Sequence, residues 1–218
     1  QVHARCAGCA LLLPPDSVTG AGARTPHWCA SCLRLPLDGI DGCHAAVSYG
    51  WPWQACVDGF KFGAQTGWAT ALAGVMLRDP LVRQAIRTCD VLVPMPLHPL
   101  RLAERGYNQS LLLAQALRRC TDREEKLDRH QAVVRHDWLL RIRNTQAQSR
   151  LSLAQRLRNV RQAFAVAANQ SSQLHGKRVV LVDDVMTSGA SAQAAAQTLR
   201  TAGVHQLRVV VFARTEKP

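Results

Sequence analysis

Continuous apolar runs alternate with segments of helical periodicity over the second half of the chain. The runs at 90–94, 179–182 and 207–212 consist mainly of β-branched and aliphatic residues, which is typical of strands buried on both faces of a parallel sheet. Apolar residues recur at helical spacing in 110–119 and in the alanine-rich segment 192–202. Strands that alternate with helices predict an α/β fold, with right-handed crossovers and a parallel sheet flanked by helices.

Weaker patterns predict further elements of this fold. Residues 138–142 predict the second core strand, and 153–164 predict a helix with one apolar face. Nearer the N-terminus, 47–51 predicts a short edge strand and 66–77 predicts a helix. The prolines between 94 and 99 exclude a helix there, so an irregular loop is expected after the strand that ends at this point.

Four cysteines near the N-terminus form two pairs. Cys6, Cys9, Cys29 and Cys32 have the spacing C-x2-C-x19-C-x2-C, which lets two tight turns present four thiolates to one tetrahedral zinc ion. The segment between the pairs is rich in Gly, Pro and Thr and lacks the apolar residues of a core, so a metal would be needed to order it. Two disulfide bonds are the alternative. The spacing predicts a zinc ribbon.

Two adjacent carboxylates and a hydroxyl-rich turn follow the apolar run at 179–182. Asp183 and Asp184 come at the carboxyl end of this strand, where parallel sheets bind ligands. Paired carboxylates can accept hydrogen bonds from vicinal hydroxyls or face a divalent cation. The hydroxyl loop is the segment Thr187, Ser188, Gly189, Ala190 and Ser191. Such a loop before a helix can hold a phosphate. The alternative is an ordinary strand end followed by a helix cap.

Chain length, the distribution of turn-forming residues and net charge limit the size and the class of the protein. At 218 residues the chain can hold one α/β domain and a small appendage. The texture changes from turn-rich to periodic near residue 45, which predicts modules at 1–45 and 46–218. The net charge of +12 and the pI near 10.1 favour phosphate-rich partners, either small substrates or nucleic acid. No apolar run is long enough to span a bilayer, so a soluble, cytoplasmic protein is expected.

The stretch VVLVDDVMTSGAS resembles the phosphoribosyl-pyrophosphate signature of type I phosphoribosyltransferases. The resemblance implies that Asp183 and Asp184 bind the ribose 2′ and 3′ hydroxyls, that the hydroxyl loop binds the 5′-phosphate, and that Mg²⁺ accompanies the substrate. In that family the loop after the first core strand holds pyrophosphate. Arg101, Arg105 and Gly106 stand at the corresponding positions here, and Arg105 would join the acid pair as a catalytic group. The alternative interpretation of Arg101 is an exposed arginine on the surface without a role in binding.

The polar stretch 143–150 follows the predicted second core strand. It begins with Arg143, which we expect to contribute to pyrophosphate binding. A basic loop at this place can close over pyrophosphate and exclude water, as lids do in many transferases. A solvated linker is the other interpretation.

Together with the cysteine module, three stretches make the chain similar to the ComF family, which includes GntX-like proteins. These stretches are VPMPLHPLRLAERGYNQS, LRIRNTQAQSRLSLAQRLRNVRQAF and VLVDDVMTSGAS. The resemblance implies a type I phosphoribosyltransferase fold at 46–218, a zinc ribbon at 1–45 and a link to natural competence. Partners implied are phosphoribosyl pyrophosphate or a nucleotide, together with single-stranded DNA or competence proteins.

Two functions remain open from the sequence. One is an enzyme that transfers ribose 5-phosphate from phosphoribosyl pyrophosphate to a nitrogen nucleophile and releases pyrophosphate. Its chemistry needs positioning, Mg²⁺ and cationic stabilisation of the leaving group, which agrees with the lack of a Ser-His-Asp or Cys-His set. The other is a non-catalytic nucleotide- or DNA-binding accessory protein of DNA uptake, which the high positive charge favours.

Overall fold

The computed structural model describes residues 4–14, 27–124, 132–144 and 162–216. The strands are β1 (Gly42–Ser48), β2 (Val91–Pro94), β3 (Val133–Val134), β4 (Leu139–Arg141), β5 (Phe164–Val166), β6 (Arg178–Met186) and β7 (Gln206–Arg214). The helices are α1 (Ala30–Arg34), α2 (Trp53–Phe62), α3 (Trp68–Met76), α4 (Pro80–Thr88), α5 (Pro99–Arg105), α6 (Gln109–Glu124), α7 (Ser171–Leu174) and α8 (Ala190–Thr201).

A five-stranded sheet in the order β1-β7-β6-β2-β3 forms the centre of the molecule, and all of its pairs are parallel. Because side chains alternate between the two faces of a strand, β6 contributes to two separate cores. Val179 and Leu181 pack on the face covered by α8 and the β4–β5 pair. Val180 and Val182 pack on the other face, against α3, α4 and α6. The predicted parallel sheet flanked by helices is confirmed.

The prediction that 138–142 forms the second core strand is wrong. Within this segment β4 pairs antiparallel with β5 in a separate two-stranded sheet, and the short β3 takes the place beside β2. Burial explains the difference, because Leu139 is buried and Leu140 is exposed, whereas a central strand is covered on both faces. Phe164, expected on a helix, begins β5. The rest of that predicted helix lies outside the described residues.

The N-terminal edge of the sheet also differs from the expectation. The edge strand predicted at 47–51 is β1, which begins at Gly42 and pairs with β7. Residue 45 therefore lies inside a strand of the main sheet. The division into modules at 1–45 and 46–218 stays a prediction, and the sheet itself begins three residues before the predicted boundary, at Gly42.

Among the described residues, no helix has the length and apolar composition that crossing a membrane requires.

Candidate functional site

The acid pair lies in the second half of β6, at the carboxyl edge of the sheet. β2 ends at Pro94, opposite Val182. From Asp183 onward, β6 therefore extends beyond the end of β2. Asp184 is only 2% exposed, while Asp183 is partly buried.

Two side chains from helices contact the carboxylates. Ser110 Oγ, at the start of α6, donates to Asp183 Oδ1 at 2.9 Å. Lys61 Nζ, in the last turn of α2, lies 3.1 Å from Asp184 Oδ2. Asn108 caps α6 by accepting the Ser110 N–H at 2.9 Å, which fixes the serine below the acid pair. The sequence pattern did not indicate Lys61 or Ser110, because their contacts with the acids depend on where α2 and α6 lie relative to β6.

Burial governs the protonation of this pair. Burial and the nearby Asp184 carboxylate raise the pKa of Asp183 to about 7, while the Lys61 ammonium and the Ser110 hydroxyl oppose the rise. A cation near the two oxygens would favour the ionised form. The pair is therefore suited to bind a positive group or to accept hydrogen bonds from hydroxyls.

The hydroxyl loop connects β6 to α8, as the sequence predicts. Gly189 has a φ of +81°, a conformation that favours glycine. A Cβ at this position would also lie 3.1 Å from Leu37 Cδ1. Thr187 is exposed and Ser188 is partly buried, so hydroxyls and the first N–H groups of the twelve-residue α8 lie together at the sheet edge. This arrangement can bind an anion.

The structure brings Arg105 near the acid pair. Its Nη1 donates to Gln109 Oε1 at 2.5 Å, and its guanidinium carbon lies 5.2 Å from the centre of the Phe62 ring. Burial lowers the pKa of Arg105, and the charge of Asp184 opposes this effect. Arg105 thus contributes positive charge beside the carboxylates.

Gly106, expected to offer its backbone to pyrophosphate, already uses it. It caps α5 with a φ of +79°, and its N–H donates to the Leu102 carbonyl at 2.8 Å. A role of Gly106 in anion binding would therefore require this turn to change. Arg101, one turn earlier on α5, is partly buried rather than fully exposed.

Arg143 lies on the outside of the two-stranded sheet. Its Nη2 donates to Gln162 Oε1 at 3.1 Å in an exposed position, and most of the predicted lid lies outside the described residues. Arg141, at the end of β4, is the nearer cation, because the charges of Asp183 and Arg101 act on it while burial lowers its pKa. Sequence analysis missed Arg141 because it placed this strand in the main sheet.

The four predicted zinc ligands come together. Their Sγ atoms all lie within 4.8 Å of one another, and Cys9 and Cys29 are 3.7 Å apart. Tetrahedral zinc with bonds of about 2.3 Å places its sulfurs about 3.8 Å apart. The Cys29 N–H donates to Cys6 Sγ at 3.2 Å, and all eight cysteines are free of disulfides. The four-cysteine centre fits a zinc ion, and the disulfide alternative is not observed.

The centre is attached directly to the main sheet. The Cys43 N–H at the start of β1 donates to the Ala7 carbonyl at 2.8 Å. Arg5 Nη1 contacts Glu216 Oε1 at 2.9 Å, and Arg5 Nη2 donates to Ser48 Oγ at 3.0 Å. The cysteine turns therefore lie against β1 and the end of β7.

Comparisons with known proteins agree with this geometry. Residues 126–218 match the family model described as a phosphoribosyl transferase domain. Competence protein F of Haemophilus influenzae is 28% identical over 96% of this chain and 90% of its own. A DNA utilization protein of Salmonella typhimurium, YhgH, is 28% identical over 87% of this chain and 92% of its own length. Competence protein ComFC of Bacillus subtilis is 34% identical over 52% of this chain and 39% of its own length.

Solved structures give a more distant similarity. A glutamine phosphoribosylpyrophosphate amidotransferase from B. subtilis, complexed with ADP and GMP, superposes with a TM-score of 0.37 at 19% identity. The match covers 66% of this chain and 25% of the amidotransferase.

The cysteine geometry predicts about one zinc ion per chain. Elemental analysis of purified protein should find it, and Cys29→Ser should lower the zinc content well below that of a matched Cys120→Ser variant. Cys120 is a suitable control because it lies on α6, outside the four-cysteine centre. Full zinc content in Cys29→Ser, or protein purified without zinc and with paired cysteines, would contradict the assignment.

The raised pKa of Asp183 predicts a pH-dependent stability difference. Because the folded protein holds the proton up to about pH 7, whereas an unfolded aspartate releases it near pH 4, Asp183 should destabilise the fold increasingly as pH rises between these values. Asp183→Asn should therefore gain stability over the wild type by up to about 1.4 kcal/mol per pH unit in this window. Urea denaturation from pH 5 to 8 measures the difference; a constant difference contradicts the raised pKa.

Proposed function

Because the chain is a ComF-like protein with a type I phosphoribosyltransferase fold, we propose that it binds phosphoribosyl pyrophosphate and Mg²⁺ at the carboxyl edge of β6. The observation that carries the proposal is the acid pair near the end of β6, with the hydroxyl loop at the start of α8 two residues further on. We further propose that the protein transfers phosphoribose and releases pyrophosphate, and that it serves the use of imported DNA.

Each part of the proposed ligand has matching groups on the protein. The 5′-phosphate is bound by Thr187, Ser188, Ser191 and the N–H groups of Gly189 and Ala190, because a helix N-terminus favours an anion. The ribose diol donates to the acid pair, which can accept such bonds once both groups are ionised. Asp183 and Asp184 would be the protein groups that hold Mg²⁺ near the pocket, and the ion would neutralise the negative charge of the substrate there.

The positive groups around the acids support transfer chemistry. As the bond between ribose and pyrophosphate breaks, positive charge develops at the anomeric carbon and negative charge on the leaving group. Arg105 and Arg101 on α5 lie on one side of the acid pair, and Arg141 lies within electrostatic range of Asp183. These cations stabilise the leaving pyrophosphate. Arg143 and Gly106 are secondary candidates for the same role, since the present contacts of both would have to change.

Lys61 has a separate role in this proposal. Its ammonium group neutralises Asp184, at the place where the charge of a bound divalent ion would act. A buried carboxylate without a counter-charge is costly, and Lys61 supplies that charge whether or not Mg²⁺ is bound. The lysine thus keeps the acid pair stable between turnovers.

The link to imported DNA comes from the names of the relatives, which include Competence protein F and DNA utilization proteins. A non-catalytic accessory protein that binds nucleotide or DNA is the second candidate, and the net charge of +12 supports it. The two candidates share the ligand pocket and differ in turnover.

Calorimetry and pyrophosphate release together test the proposed function. Asp184→Asn should weaken the binding of phosphoribosyl pyrophosphate with Mg²⁺ at least about tenfold, because a charge-assisted hydrogen bond contributes about 1.5–3 kcal/mol. Arg105→Ala should lower pyrophosphate release across a panel of purine, pyrimidine and amine acceptors more than it weakens binding, since it acts on the transition state.

Arg87→Ala, on α4, is a matched control for loss of an arginine. Unchanged affinity in Asp184→Asn rules out this pocket. Binding by the wild type without pyrophosphate release above the level of an Arg105→Ala, Asp184→Asn double variant favours the accessory protein instead.

A further inference from the structure

Arg214, the last residue of β7, is a buried cation at the junction of the two proposed sites. Its side chain is 2% exposed. Its Nε donates to the Cys9 carbonyl at 2.7 Å, and its Nη1 donates to the Met186 carbonyl at 3.1 Å and to the Thr187 carbonyl. One guanidinium therefore joins the turn that carries the first two cysteines to the first residue of the hydroxyl loop.

Leu37 lies close to the middle of the same loop. Leu37 packs both against the four-cysteine centre and against the main core. Its Cδ1 lies 3.1 Å from the position of a Cβ on Gly189, the residue whose positive φ starts α8. The first and the middle residue of the hydroxyl loop are thus shaped by residues that also contact the cysteine module.

The charge of Arg214 points to the metal centre as well. Within the described parts of the chain, its hydrogen bonds all go to backbone carbonyls, and none goes to a carboxylate. A buried cation with only neutral partners is costly. Four thiolates outweigh the charge of one divalent ion, so a loaded four-cysteine centre is net negative and supplies the missing counter-charge.

We infer that Arg214 is a positioning residue through which the four-cysteine centre sets the shape of the hydroxyl loop, so that zinc and a 5′-phosphate stabilise each other's binding. The inference rests on the proposed function, because it takes the hydroxyl loop as the 5′-phosphate site. Neither ligand touches the other in this scheme. Arg214 couples them because it contacts both binding segments at once.

Thermodynamic reciprocity gives the test. If zinc strengthens the binding of ribose 5-phosphate by some factor, ribose 5-phosphate must strengthen the binding of zinc by the same factor. Zinc affinity is measured by competition with a chelator of known affinity, with and without saturating ribose 5-phosphate. In the wild type we expect a factor of about ten, within the usual range of coupling between sites.

Three variants separate coupling from general stability. Arg214→Gln removes the charge, and Arg214→Lys keeps it but cannot reach the Cys9 and Thr187 carbonyls together; in both, the factor should fall to within about twofold of one. Arg200→Gln is the matched control, because Arg200 donates to the Gly39 and Val204 carbonyls at 3.0 Å near the other end of β7. It should keep the wild-type factor.

The outcomes distinguish this inference from the proposed function. A wild type that binds ribose 5-phosphate with no change in zinc affinity overturns the coupling and leaves the proposed function standing. Equal coupling in the wild type and both Arg214 variants overturns the role of Arg214. A wild type that binds neither ribose 5-phosphate nor phosphoribosyl pyrophosphate overturns both.

Discussion

Two carboxylates at the end of one buried strand impose the main electrostatic constraint on this protein. Like charges so close together and so well buried are unfavourable, and the surrounding structure compensates for them. Lys61 from α2 neutralises Asp184, and Ser110 from α6 donates to Asp183. Helices that lie far apart in the sequence thus meet at the acid pair. Burial, and after it the charge of Asp184, still raises the pKa of Asp183, so a cation bound beside the pair would be favourable.

The sheet and the hydroxyl loop could be predicted because their signals are local. An unbroken run from Val179 to Val182 has few alternatives to a central strand, and the acid pair and then the hydroxyl loop come within a few residues of it. The four cysteines were equally predictable from their spacing, and their sulfurs do converge. Such features depend on neighbouring residues and on general rules of burial and metal coordination.

The rest of the site depends on contacts across the fold, which a single sequence does not reveal. From the sequence alone, Lys61 has the features of an ordinary surface lysine. Its contact with Asp184 becomes visible only when α2 lies beside β6. Arg141 was overlooked in favour of Arg143 because a run with one buried and one exposed leucine was taken for a central strand. The prolines at 94–99 indicated an irregular loop, and no helix was expected directly after it. Proline is tolerated in the first turn of a helix, and Pro99 is the first residue of α5.

The proposed function requires the acid pair and the hydroxyl loop to form one pocket for phosphoribosyl pyrophosphate. A crystal structure of the protein with phosphoribosyl pyrophosphate and Mn²⁺, in which anomalous scattering locates the metal, would test this requirement. We expect the 5′-phosphate at residues 187–191, the ribose diol on Asp183 and Asp184, and the metal within a few ångströms of the acid pair. A ligand bound elsewhere, with Lys61 and Ser110 still in contact with the acids, would contradict it.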